Sequence, residues 1–318
     1  MAKLSNLFKK TLPYYKNMGF KGFISSFLWE ILFWIEGRFR NFYWNYSVQK
    51  RNGLKTRIKG FNILMNLNPK DKGLSVELLL YGVHEPLLTQ LLKNIIKEGM
   101  VIVDIGANIG YFALIESRLA GTTGKIIAVE PFPDSFNLLK QNMELSAVPN
   151  YFVKNLAISD INGTSTMYSF DMANWNSLFH LNRQYSTSIE VQTSTLDNLV
   201  ENESKVDIIR MDIEGYECVV IDGMKNTLIK HRPLLIVELH AGLVPIEKIA
   251  QFLRKLQSFN YDIYYVFPRK KEETFLGFQF VNKRKVYEKL TIQELLHDQR
   301  LTKIRENFTV IFAPICQK

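Results

Sequence analysis

An α/β protein with a doubly wound, mostly parallel sheet is what this sequence predicts, and three observations predict it. Val101-Ile-Val-Asp104-Ile-Gly106-Ala-Asn108-Ile-Gly110 reads as a strand running into a glycine turn and then a helix. Downstream, β-favouring runs alternate with amphipathic stretches of helical period, the order that builds parallel strands joined by crossover helices. Ahead of both, residues 1–60 differ from the rest in charge and aromatic content. With 47% hydrophobic residues, 318 positions supply a sizeable core, which excludes a disordered chain.

Residues 1–75 are expected to form an N-terminal helical extension and residues 76–318 the main domain. Within the extension, Phe20, Phe23, Ile24, Phe27, Leu28, Ile31, Trp34 and Ile35 recur at helical spacing. Its longest apolar run is broken by Glu30 and is too short to span a bilayer. No small-residue cleavage site follows a short apolar core, so a secretory signal is not expected. Residues 61–81 read as short strands around the turn-rich Asn68-Pro-Lys-Asp-Lys-Gly73. Glu85-Pro86 opens a helix through Ile96, with Leu87, Leu88, Leu91, Leu92 and Ile95 as one stripe, and Gly99 ends it. Tyr111 to Leu119 is the helix behind the glycine turn. Lys125 to Val129 is the next strand, and Asp134 to Leu145 a helix with Phe136, Leu139 and Met143 inward. Tyr151 to Ile158 reads as a third strand, with Thr164–Phe170 and Ser188–Thr193 as a further pair. Val206–Asp212 and Leu234–Leu239 are the fourth and fifth parallel strands. Ile246–Phe259 is a helix, and Tyr261–Phe267 and Phe308–Ala313 are the last strands.

The glycine turn discriminates between cofactors. A dinucleotide-binding turn has glycine at the position of Asn108, so that a pyrophosphate reaches the backbone. Asp104 at the strand end disfavours phosphate at short range and suits the ammonium and sulfonium of S-adenosylmethionine. Gly106 permits the turn, and Gly110 lets the helix lie close against the strand. Glu130, twenty positions past Gly110, ends the second strand where an acid accepts both ribose hydroxyls. The strand ends then read Asp104, Glu130, Asp160, Asp212 with Glu214, and Glu238 with His240: five acidic ends in register around one cleft. Asp160 is the candidate partner of the adenine amino group. His240 is the candidate general base for an acceptor hydroxyl, with Glu238 orienting it or Asp212 taking its place. The bland alternative for His240 is a satisfied strand-end histidine. Mg²⁺ on Asp212, Glu214 and Glu238 is the less favoured variant, so no residue is assigned to a metal.

Taken in order, Asp104-Ile-Gly-Ala-Asn-Ile-Gly110, Glu130-Pro131, Ala157-Ile-Ser-Asp160, Thr195-Leu-Asp197, Val206-Asp-Ile-Ile-Arg-Met-Asp212-Ile-Glu214-Gly-Tyr-Glu217 and Val237-Glu-Leu-His240 resemble the FkbM family of S-adenosylmethionine-dependent methyltransferases. The resemblance covers about residues 78–242. It implies a class I methyltransferase, Rossmann-like fold with a seven-stranded sheet, S-adenosylmethionine as cofactor, and O-methylation of a sugar, glycan or natural-product hydroxyl. Arg210 stands where the family commonly has Lys. A non-catalytic, membrane-associated module retaining the fold is the alternative. Asp104, Gly106, Gly110 and Glu130 argue against that module, as Asn108 argues against an NAD-dependent dehydrogenase.

The net charge of +9 is segregated. Residues 1–60 hold twelve Lys and Arg against Glu30 and Glu36, a net +10, so the rest of the chain sums to −1. Trp29, Trp34 and Trp44 fall in the same segment. Basic residues around an aromatic amphipathic helix suit an anionic membrane surface. The competing reading is a helix that covers its own domain, and nucleic acid is disfavoured because no recognised module accompanies the charge. Cys218 and Cys316 form neither a disulfide framework nor a metal-ligand spacing. A reducing, cytoplasmic location with peripheral membrane contact is therefore expected, and the oligomeric state is not legible.

Overall fold

The computed structural model describes residues 35, 37–40, 42–48, 53–146, 150–169, 176–177, 187–268, 287–298, 301 and 307–315. The chain divides into two compact units, Met1–Asn52 and Gly53–Lys318. In the first unit, residues 35, 37–40 and 42–48 are helical, and Phe39 stacks on Tyr43 with ring centroids 6.1 Å apart. The expected helix from Phe20 to Trp34, Trp29 included, lies outside the described residues.

The second unit begins with a hairpin, β1 (Lys55–Ile58) and β2 (Ile63–Asn66), then α1 (Leu74–Tyr81) and α2 (Pro86–Ile95). The repeating part follows: β3 (Val101–Ile105), α3 (Tyr111–Ala120), β4 (Lys125–Val129), α4 (Pro133–Leu145) and β5 (Tyr151–Lys154). Four short strands come next, β6 (Ala157–Ile158), β7 (Gly163–Ser169), β8 (Asn176–Ser177) and β9 (Thr187–Ser194). The chain returns through α5 (Leu196–Leu199), β10 (Ile208–Met211), α6 (Glu217–Val220), α7 (Lys225–His231) and β11 (Leu234–His240). It closes with α8 (Ile246–Ser258), β12 (Tyr261–Pro268), α9 (Ile292–Leu296) and β13 (Asn307–Pro314).

Seven strands form one sheet in the order β12-β13-β11-β10-β3-β4-β5. β11, β10, β3, β4 and β5 are parallel, while β13 runs antiparallel to both of its neighbours. From β3 the chain winds outward through β4 and β5, then crosses to β10 and winds the other way. Such a reversal leaves a crevice at the carboxyl ends of the two strands on either side of it, here β3 and β10. Every residue of β3 and of β10 is buried, as expected where helices cover both faces. Val103, Ile105, Ile209, Met211, Val237 and Phe312 share one core cluster. Each such side chain contributes roughly 1.5–3 kcal/mol when fully buried. Apart from the β1–β2 hairpin, the remaining strands make a four-stranded sheet, β6-β9-β7-β8.

Two expectations are corrected. Residues 74–81 are a helix, because Asp71 accepts the N–H groups of Gly73 and Ser75, both at 2.7 Å, and Gly82 closes the far end at φ 68°. Leu74-Ser-Val-Glu begins with an alternation that imitates a strand. The third strand stops at Lys154 rather than at Ile158. There Asn155 donates to the carbonyls of Glu130 and Pro131, both at 2.9 Å, and Ala157 and Ile158 join the smaller sheet instead.

Candidate active site

The crevice is shaped first by two glycines. Gly106 has φ 82°, and a Cβ there would lie 2.1 Å from the Asp212 carbonyl oxygen, so the tips of β3 and β10 approach too closely for any side chain. At Gly110, φ 93°, a Cβ would meet Leu139 Cδ1 at 2.8 Å, so this glycine sets how closely α3 and α4 lie. Between them the backbone donors are already engaged. Gly106 and Ala107 N–H both reach the Val129 carbonyl at 3.0 Å, Gly110 N–H reaches Ala107 at 2.9 Å, and Asn108 N–H reaches Glu130 Oε2 at 2.9 Å. A loop that has turned these donors inward has few left for a pyrophosphate. Asn108 itself sits at φ 51°, a conformation asparagine tolerates better than most residues.

Glu130 is 6% exposed and also accepts the Phe132 N–H at 2.9 Å. Burial pushes its carboxyl up to about 7, although the hydrogen bonds from Phe132 and Asn108 pull the other way. Each oxygen keeps acceptor capacity for a further donor.

A cavity of about 570 Å³ opens at these strand ends, and Gly106, Asn108, Glu130 and Asp212 line it as the sequence predicts. Ile105, Phe112, Val129 and Ile158 supply apolar wall, and Glu214 and Tyr216 come from the turn after β10. The other expected site residues stand back from this wall. Gly110 lies behind the loop. Asp160 is exposed, follows the small sheet, and accepts from Ser159 Oγ at 2.9 Å, so the acidic ends are not five in register.

Asp104 is 0% exposed and bound to Arg210, Nη1 to Oδ1 at 2.8 Å. Its charge is therefore compensated inside the protein rather than presented to the cavity. Burial raises its carboxyl against the pull of Arg210. Arg210 also reaches Asp212 at 3.2 Å and lies 4.0 Å from the centroid of the Phe112 ring. Burial opposes the guanidinium charge, but Asp104 and Asp212 outweigh it and hold the group cationic. Behind them Glu116 is fully buried with neither oxygen hydrogen-bonded, and burial first, then Asp104, raises it well above the ordinary range.

His240 is 1% exposed and lies under the cavity wall rather than on it. Its Nδ1 is 3.0 Å from Glu217 Oε1, and the same carboxylate oxygen accepts the N–H groups of Ile213 and Gly215. Nε2 faces Glu214 at 3.3 Å, Glu238 at 3.6 Å and Asp212 at 3.8 Å. Burial lowers this imidazole, yet Glu217 first, then Glu214 and Asp212, overcome it and lift it to about 9. Glu214 and Gly215 both have positive φ, 53° and 99°, so the turn is strained at a non-glycine residue beside the cavity. Glu217 secures that turn by accepting the N–H groups of Ile213 and Gly215.

Sequence reasoning missed a second histidine. His84 lines the cavity, and its Nδ1 is 2.7 Å from Glu77 Oε2. Its ring packs edge-on against Tyr111, whose hydroxyl is 3.0 Å from Thr89 Oγ1. The signal was present in His84-Glu85-Pro86: a histidine at the turn into a helix, two residues before the proline that opens it.

Residues 104–263, just over half of the chain, match the methyltransferase FkbM domain. The chain is 32% identical over 165 residues to the hexuronic acid methyltransferase AglP of Haloferax volcanii, covering 49% of this chain and 62% of that protein. It is 29% identical over 146 residues to Methyltransferase 1 of Beauveria bassiana, covering 39% of this chain and 58% of that one. It thus spans less than two thirds of the length of either relative. A solved structure of methyltransferase FkbM from Methylobacillus flagellatus aligns at 15% identity with a TM-score of 0.33, over 44% of this chain and 32% of that one. The matched segment runs from Asp104 through the glycine turn, Glu130, Asp212 and His240 into β12, and the chain belongs to the FkbM-domain methyltransferase family.

Proposed function

We propose that this chain transfers the methyl group of S-adenosylmethionine to a hydroxyl of a sugar, glycan or natural-product acceptor. The observation that carries the reading is the pairing of Glu130 with an inward-turned glycine loop at the β3–β10 crevice. Glu130 offers two oxygens to a ribose diol, while Asn108 and the engaged loop donors suit a cofactor without phosphate. Bound there, S-adenosylmethionine supplies an already activated methyl carbon. Asp212 and Glu214 offer negative charge to its cationic end. Asp104 acts at one remove, by holding Arg210, and Asp160 remains an expectation for the adenine edge that needs rearrangement to be met. The sugar acceptor rests on the hexuronic acid methyltransferase as relative.

Proton removal from the acceptor falls to His84 in this reading. It lines the cavity with Nδ1 against Glu77, the arrangement that orients an imidazole base. His240 and Glu238 act beneath the wall instead. His84→Gln is expected to lower kcat about 10²–10⁴-fold and leave cofactor affinity within a few-fold. Equal kcat in the variant would remove His84 from the mechanism. The reading as a whole is tested by titration calorimetry with S-adenosylmethionine and with NAD, followed by transfer of labelled methyl to uronic acids and glycans. Binding of NAD instead would overturn it.

Residues 1–60 are proposed to dock on an anionic membrane surface near such an acceptor. The favouring observation is a helical stripe of exposed Ile35, Phe39, Phe42 and Tyr46 within a segment of +10 charge. Among the described residues no helix is long and apolar enough to cross a membrane.

A further inference from the structure

At the cavity wall and beneath it, Asp212, Glu238 and His240 each bring one ligand-type atom within 4.8 Å of the others. Acidic clusters are common, and the histidine distinguishes this one. His240 Nε2 is buried and has no hydrogen-bond partner, for the carboxylate oxygens around it stand at ion-pair range without hydrogen-bond alignment. Its other nitrogen is committed to Glu217, whose carboxylate is itself fixed by two backbone N–H groups. A carboxylate on Nδ1 holds the imidazole with Nε2 aimed at a single point, the support that metal-bound histidines almost always have.

The spacing agrees. Two ligands about 2.1 Å from one ion lie roughly 3.0 Å apart at a right angle and about 3.4 Å apart in a tetrahedron. Nε2 is 3.6 and 3.8 Å from Glu238 and Asp212 oxygens, within a few tenths of an ångström of that spacing, and the three ligand atoms lie within 4.8 Å of one another, so side-chain adjustment closes them onto one ion. We infer that Asp212, Glu238 and His240 form a site for a divalent first-row metal cation, and that Glu217 is its supporting carboxylate. One imidazole among carboxylates is a mixed set that suits Mn²⁺ better than an all-oxygen Ca²⁺ or Mg²⁺ cage. Asp212 and Glu214 also line the cavity, so the ion borders the space an acceptor hydroxyl enters. That last role rests on the methyltransferase reading, whereas the site itself does not.

The test uses the full chain, stripped with chelator and titrated with Mn²⁺ alone, without cofactor or acceptor. One Mn²⁺ per chain is expected, with ¹⁴N coupling from a single imidazole in pulsed electron paramagnetic resonance. Glu238→Gln and Asp212→Asn, both near-isosteric, should each weaken binding at least about tenfold, and Glu217→Gln about 10–100-fold. Thermal unfolding of the metal-free variants separates lost ligands from lost fold. For any variant that does not fold, the ¹⁴N coupling and Mn²⁺-induced rise in Tm of the natural chain stand in. No saturable Mn²⁺ binding, binding without nitrogen coupling, or binding undiminished in the folded variants would overturn the site. S-adenosylmethionine titration of the same samples keeps the two readings apart, since loss of cofactor binding with Mn²⁺ retained sinks only the enzyme assignment.

Discussion

Glu130 joins two equilibria at one carboxyl. Its burial raises the folded-state value from 4.5 to about 7, so between those limits the native protein holds a proton that the unfolded chain has released. Stability contributed by this group is therefore greatest at low pH and falls as pH rises from 4.5 to 7, by about 3 kcal/mol in all. Accepting from a ribose diol favours the ionised form, so cofactor affinity should move the other way. Calorimetry at pH 6, 7 and 8 is expected to show the Kd of S-adenosylmethionine tightening up to about tenfold per pH unit below 7 and levelling above. Glu130→Gln should bind roughly ten- to a hundredfold more weakly and lose that slope. A flat profile in the natural chain would detach Glu130 from the cofactor. Asp104 behaves differently because it is sealed against Arg210. Asp104→Ala leaves a buried guanidinium with Asp212 as its remaining carboxylate, at a cost of about 3 kcal/mol seen as a lowered unfolding midpoint. An unchanged midpoint would mean that Asp212 and the Phe112 ring satisfy Arg210 unaided.

At the scale of elements, the sequence shows best where period and punctuation agree. The α2 stripe, the glycine turn and the β4 tip all stand where Pro86, Gly106 and Glu130 predict them, since each is set by local chemistry. The site is legible to the same extent: Gly106, Asn108, Glu130 and Asp212 reach the cavity. What was hidden depends on contacts distant in sequence. The Asp104–Arg210 pair spans 106 positions, and the Asn155 hydrogen bonds that end β5 bridge 24 and 25. Neither leaves a periodic trace. His84 was hidden for a local reason: Glu77, seven positions away, reaches it only through the helix that Leu74-Ser-Val-Glu disguises. In the first unit, the 4-3-4 spacing of Ile35, Phe39, Phe42 and Tyr46 puts all four on one helical face, and they are 50–71% exposed. Phe39→Glu with Phe42→Glu should cut co-sedimentation with anionic liposomes several-fold and leave binding of S-adenosylmethionine unchanged. Full retention on liposomes would discard the stripe as the contact.

Across the whole molecule, charge and core are divided between the two units. The first unit carries +7 of the net +9, nine Lys and Arg against Glu30 and Glu36, while the seven-stranded sheet and its core cluster lie entirely within Gly53–Lys318. The glycine turn, the cavity and the Asp212–Glu238–His240 cluster lie there too. Removing residues 1–52 should therefore leave a protein that unfolds cooperatively and binds S-adenosylmethionine within about threefold of the full chain. Its attraction to anionic liposomes should largely vanish. For the full chain, that attraction should weaken as salt rises from 0.05 to about 0.5 M, because the Debye length shrinks to a few ångströms and each basic residue near the surface is worth only about 1 kcal/mol. A salt-resistant remainder would measure the buried aromatic stripe. Equal sedimentation of the full and shortened chains would assign membrane contact to the second unit or to neither. Loss of cofactor binding on truncation would instead make the first unit part of the working enzyme.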